Sequence, residues 1–114
     1  PFQTESIPST PGDFVLDSGC THSMVAYREL LSDMQPCSVT VTFGNGNFVT
    51  SNERGTLRVV TLMLHGVLFV VGLQRNLLSE TQLISCGASI HATSQGRQVF
   101  DSSGTLIITA NNHT

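Results

Sequence analysis

The sequence predicts an all-β domain built around one small core. Three observations carry that expectation. Val, Ile and Thr are abundant while Trp is absent. Strand-length apolar runs recur between turns rich in Gly, Asn and Ser. The chain has 114 residues, enough for one ordinary domain and too few for two. Hydrophobic residues make up 39% and charged residues 11%, a balance that suits a packed interior and disfavours disorder away from the ends.

The elements follow in order. Residues 1–12 hold Pro1, Pro8, Pro11 and Gly12 and read as an extended arm; residues 13–110 are the folded domain, and 111–114 a flexible tail. Asp13 to Asp17 is a strand, apolar through its middle and so buried on both faces. Ser18 to Ser23 turns into a second short strand. Tyr27 to Leu31 offers a helical turn, which Gln35-Pro36 ends. Ser38 to Phe43 alternates, with Val39, Val41 and Phe43 on one face. The Gly44-Asn45-Gly46-Asn47 run then makes a hairpin, because Asn and Gly tolerate positive φ. Leu57 to Leu64 and Val67 to Val71 are strands joined at His65-Gly66. Asn76 to Ile84 reads as a helix whose apolar sector is Leu77, Leu78, Leu83 and Ile84, with Ser79 and Glu80 outside it and Gly87 as its cap. A three-stranded meander closes the chain, with turns at Ser94-Gln95-Gly96 and Ser102-Ser103-Gly104.

Composition excludes several classes. Net charge is −3, and the five basic residues are scattered arginines, so no basic patch for nucleic acid is present. No run approaches the ~18 apolar residues of a membrane span. The three cysteines, Cys20, Cys37 and Cys86, are odd in number and widely spaced, which fits a reducing compartment better than a disulfide framework. A zinc site on these cysteines with His22 and His91 lacks the close ligand pairs such sites show, so no metal and no cofactor is expected. A Cys20–His22 nucleophilic dyad is disfavoured because positions two apart on an extended chain hold their Cβ atoms roughly 6–7 Å apart. Cys37 and Cys86 are expected to be buried as small apolar residues. The Asn112-His113-Thr114 sequon reads as chance in a cytoplasmic protein.

One constellation carries chemistry. The strand Phe14-Val15-Leu16 delivers Asp17 into a tight Ser18-Gly19 turn, and this happens once. Hydrolysis without a covalent intermediate needs one group to activate water and another to protonate the carbonyl. Two carboxylates sharing a proton do both. Gly19 lets the backbone approach the carboxylate, and Ser18 braces the turn. Val70-Val71-Gly72, followed by Arg75-Asn76, is placed to form a platform beneath the Asp loop. The hairpin of Phe43, Gly44, Asn45, Gly46, Asn47 and Phe48 is placed to close over an extended substrate as a flap. Asp101-Ser102-Ser103-Gly104 looks similar to the Asp17 triplet but reads as a plain hairpin turn.

The order and spacing of these elements resemble the retropepsins, and more closely the proteases of copia-type retrotransposons. The matching residues are Leu16-Asp17-Ser18-Gly19, the Gly-Asn-Gly hairpin at 44–46, Gly55-Thr56-Leu57, Val67 to Val70, Asn76-Leu77-Leu78-Ser79 with Gln82-Leu83, and Gly87 to Ile90. The resemblance implies a small closed β-barrel with one short helix in the C-terminal half and one flap hairpin per subunit. It implies a homodimer with one catalytic Asp17 per chain, cutting a Gag-Pol-type polyprotein in the cytoplasm within a virus-like particle. Arg75 and Asn76 would then support the loop and the dimer, and Leu16, Val41, Phe43, Phe48 and Val70 would line apolar substrate pockets. Phe2 to Ile7 and Thr105 to Thr109 are the segments available for a dimer sheet. The chain departs from the retropepsin pattern in having Cys20 and Thr21 after the triplet, where Ala and often an acidic residue stand. Retroviral members pair that acid with the Arg matching Arg75. A host-adopted, non-catalytic dimerisation or peptide-binding module of the same fold is the alternative.

Overall fold

The computed structural model describes the backbone of residues 2–3, 14–94 and 96–111. Ten strands and one helix account for most of it. They are β1 (Phe2–Gln3), β2 (Phe14–Asp17), β3 (Met24–Val25), β4 (Leu31–Thr42), β5 (Phe48–Val59), β6 (Leu62–Phe69), β7 (Asn76–Ser79), α1 (Glu80–Ser85), β8 (Ser89–Thr93), β9 (Gly96–Phe100) and β10 (Leu106–Asn111). A 3-10 turn at Arg28–Leu30 precedes β4. All-β is therefore the architecture; among the described residues no hydrogen-bonded pairing joins the two ends of the sheet. The strands form one curled sheet in the order β4-β5-β6-β3-β7-β2-β1-β10-β9-β8, a half-barrel with β4 and β8 as open edges.

Most strands pair antiparallel, and two pairings are parallel: β2 with β7, and β3 with β6. These interlocked pairings put the sequence-distant segments 14–17 and 76–79 side by side. A main core forms around Phe14, Val25, Leu57, Leu64, Leu78, Leu83 and Val99, all at or near zero exposure. A second cluster of Met24, Leu68 and Val70 is covered by Val39, Val41, Phe43, Val49, Leu73 and Leu77. The alternating face of Val39, Val41 and Phe43 is thus turned inward, as its period requires.

Several boundaries differ from expectation. Gln35-Pro36 does not end a helical segment but lies inside β4. Pro is tolerated there because β4 is an edge strand and the β4–β5 register slips on both sides of the Gln35-Pro36 pair. The β5–β6 turn falls at Val60-Thr61, not at His65-Gly66. Val60 adopts φ 56, which no turn propensity would suggest for a β-branched residue. One local and one tertiary bond flank it: Arg58 Nε donates to the Val60 carbonyl at 3.0 Å, and Thr61 Oγ1 donates to Asp101 Oδ2 at 2.9 Å. Gly66 takes φ 72 inside β6, where the strand bulges against Gly55 and Leu57.

The expected helix over 76–84 is split. Asn76–Ser79 is strand β7, held by its parallel pairing with β2, and only Glu80–Ser85 is helical. Ser79 caps that helix, its Oγ accepting from Gln82 N at 3.1 Å. Leu83 is fully buried, but Ile84 is 56% exposed. Glu80 is buried instead, because the short helix turns it toward β9, where Arg97 Nη2 donates to Glu80 Oε1 at 2.7 Å. Gly87 ends the helix at φ 95, donating to the Ile84 carbonyl.

The hairpin and the meander form where expected. Phe43 N donates to the Asn47 carbonyl at 2.7 Å, and Gly46 alone takes a positive φ in the loop. Asn45 contributes its side chain, accepting from Asn47 N at 2.9 Å. Cys37 and Cys86 are half-buried, each thiol donating weakly to a carbonyl, of Ser51 and Met63 respectively. The arm residues 4–13 and the sequon at 112–114 lie outside the described residues. Phe2–Gln3 pairs within its own chain, between β2 and β10, so the edges of both terminal strands are occupied there.

Candidate functional site: the Asp17 loop and the hairpin groove

Asp17 closes β2, half-buried, beside Ser79 across the parallel pairing. Its Oδ1 accepts the Gly19 backbone N–H at 2.7 Å. A Cβ at position 19 would stand 3.4 Å from that oxygen, so glycine gives the carboxylate its room. Ser18 is exposed, and among the described residues its hydroxyl makes no bond.

What underpins the loop is the start of α1. Ser79 Oγ donates to the Cys20 carbonyl at 2.8 Å, and Ser79 N donates to Ser23 Oγ at 3.0 Å. The Gln82 amide uses both ends. Its Oε1 accepts from Ser23 N at 3.2 Å, and its Nε2 donates to the His65 carbonyl at 2.6 Å. Ser23 and Ser79 are fully buried. Farther along, Asn76 Oδ1 accepts from Ala26 N at 2.8 Å and fixes the exit of β3. Ser23, Ser79 and Gln82 carry no site assignment in the sequence reading. The one signal was the Ser-x-x-Gln spacing at 79–82, which is a helix-start pattern.

Cys20 is buried beneath the loop, its thiol 3.8 Å from the Asp17 carbonyl. Burial first, then the nearby Asp17 charge, pushes this thiol up to about 11. It is a protonated, inert thiol at neutral pH. The His22 ring meets Thr21 Oγ1 at 3.1 Å through Nδ1. These features leave no activated Cys20–His22 pair.

The hairpin and the 70–75 loop face each other across a groove of about 580 Å³. Phe43, Asn45, Asn47, Phe48 and Val49 form one wall; residues 70–75 and Leu77 form the other. Val70, Val71 and Gly72 belong to the second of these walls. Val70 is 4% exposed and anchors the second cluster, Val71 is 82% exposed, and Gly72 turns the chain at φ 81. Asp17 is not among the groove's lining residues, but it lies on the same sheet face. Val15 pairs with Leu77 and Asp17 with Ser79, so alternation puts Asp17 on the side that Leu77 presents to the groove. The same alternation turns Leu16 to the other face, beside Leu78 and against the main core. Val41 lies under the hairpin in the second cluster.

Arg75 is exposed on the groove wall and forms no ion pair among the described residues. The described histidines, cysteines and carboxylates form no cluster of metal-binding size. No described helix is long and apolar enough to cross a membrane.

A half-barrel with one acidic strand-end loop and one facing hairpin is the class that this geometry defines. The chain belongs to the family of Pol polyprotein β-barrel domains, whose model matches residues 14–88. The match begins with β2 and takes in the Asp17 loop, the hairpin, the 70–75 loop and α1, and it marks the chain as part of a retroelement polyprotein. No curated protein matches the chain.

Proposed function

We propose that this domain is a homodimeric aspartic endopeptidase that processes a retroelement Gag-Pol-type polyprotein. The observation that carries the reading is the braced Asp17 loop. A single carboxylate sits at a strand end, held by the Gly19 amide, on a turn tied to α1 by Ser79 and Gln82. Such bracing fixes a carboxylate where an unbraced Asp turn would let it wander. One chain supplies one carboxylate, so a second copy completes the pair.

The substrate enters extended between the hairpin and the 70–75 loop, where backbone pairing gives affinity and the apolar walls select side chains. One carboxylate takes a proton from the bridging water while the other donates to the scissile carbonyl. The tetrahedral diol collapses as the leaving amine is protonated. The rate is bell-shaped in pH, because the pair works only while it shares one proton.

The test is cleavage of a polyprotein carrying this domain. Asp17→Asn abolishes cleavage while keeping a wild-type melting transition. A variant that still cuts at the wild-type rate rules out the aspartic mechanism. A wild-type chain that neither cuts nor binds a statine-type transition-state mimic is a non-catalytic binding module.

A further inference from the structure

The groove between the hairpin and the 70–75 loop is apolar along most of its length. Phe43, Phe48, Val49, Val70, Val71, Leu73 and Leu77 supply that surface, and Asn45, Asn47 and Gln74 add neutral polar groups. Among the described residues, Arg75 is the one charged side chain on its walls. Glu53 already holds Arg28, and Glu80 already holds Arg97. Arg75 has no such partner among the described residues. It sits on an irregular stretch between the Val71-Gly72 turn and β7.

An unpaired guanidinium on an apolar wall favours a ligand that brings its own carboxylate. Its planar fork of donors matches a carboxylate better than any neutral group, and low-dielectric walls strengthen the attraction relative to open water. An extended chain lying in the groove presents alternate side chains to the same wall. We infer that Arg75 is a specificity-determining residue that selects an acidic side chain in the bound polypeptide, set among apolar residues that fill the rest of the groove. This rests on the groove being the peptide site of the proposed protease.

The test separates the two readings by measuring binding and cleavage independently. Peptides with an apolar centre are scanned with Glu, Gln or Lys at each flanking position. Binding is read by fluorescence anisotropy on versions with a reduced, uncleavable central bond, and turnover on the ordinary versions. Wild-type protein prefers Glu over Gln at one position by about fivefold, the upper range for a partly solvated ion pair, and the preference shrinks in high salt. Arg75→Gln removes the Glu–Gln difference but still binds the apolar peptides. Arg75→Glu reverses the preference toward Lys. Parity of Glu and Gln in the wild type overturns the inference, as does an Arg75→Glu protein that still prefers Glu, or a groove that binds none of the peptides. Charge-selective binding without any cleavage upholds Arg75 and removes the protease reading instead.

Discussion

Gln82 illustrates how one side chain ties the candidate site together. Its amide accepts from Ser23 N and donates to the His65 carbonyl, so neither Glu nor Met can replace it fully. Gln82→Met leaves both backbone groups without that partner and costs about 1–3 kcal/mol, measured by urea unfolding. Gln82→Glu keeps the acceptor and loses the donor, so its cost is smaller. Asp101 gives a pH signature. Its carboxylate accepts from Ser103 and Thr105 N–H groups and from the Ser103 and Thr61 hydroxyls. The Ser103 hydroxyl bond first, and then the Thr105 amide bond, bring it down to about 2. A depressed carboxylate stabilises the fold above its unfolded pKa, ~3.9, and loses that contribution as pH falls toward 2. The melting temperature of Asp101→Asn therefore lies below that of the wild type at pH 6, and the gap closes between about pH 4 and pH 2. The Asp101 turn was legible because Asp-Ser-Ser-Gly is a local signal. The Gln82 contacts were not, because Ser23 lies 59 residues away in sequence.

Strands β4 and β5 leave no room for a side chain at Gly55. A Cβ there would meet Ser32 O and Met34 Sδ at 2.7 Å and Leu31 Cβ at 3.0 Å. The backbone carbonyl cannot swing aside, so Gly55→Ala destabilises by about 1–3 kcal/mol, read as a fall in the denaturant midpoint. Had the strands separated to admit the methyl group, the loss would be far smaller. The same elements show what the sequence could and could not convey. Alternation at Val39, Val41 and Phe43 gave a strand with one inward face, and the hairpin after it formed as its Asn-Gly signal requires. Asn76 to Ser79 carries two adjacent leucines, which suit a helix face or a doubly buried strand equally well. The register with β2 decides between them, and that register is a tertiary fact. Val60 is a similar case, since the Thr61–Asp101 bond beside its left-handed backbone joins residues distant in sequence.

At the scale of the whole molecule the described strands form one curled half-barrel sheet. Its terminal strands are spent on each other and on β2 and β9, which leaves β4 and β8 as the edges among the described residues. Edge β4 is blunted by Pro36 and two register slips, while β8 is short and carries neither Pro nor Lys. If two copies complete the proposed site, specific activity falls on dilution through the dimer constant, and sedimentation tracks the loss in the same concentration range. Specific activity that stays flat while the chain sediments as a monomer contradicts the paired-carboxylate account. The all-β class and the location of the acidic loop were legible from composition and strand pattern. Which edges stay open was not, because edge status depends on the pairing of every other strand.

The parallel pairing of β2 with β7 also sets an order in time. Asp17 precedes the residues that brace its loop, Ser79 and Gln82, by more than sixty residues. During synthesis the nascent chain carries the acidic turn for dozens of elongation steps with only its local Gly19 bond and none of its long-range braces. The loop therefore takes its working shape only after α1 has left the ribosome. In a polyprotein, whatever this loop does is delayed until β7 and α1 have followed it.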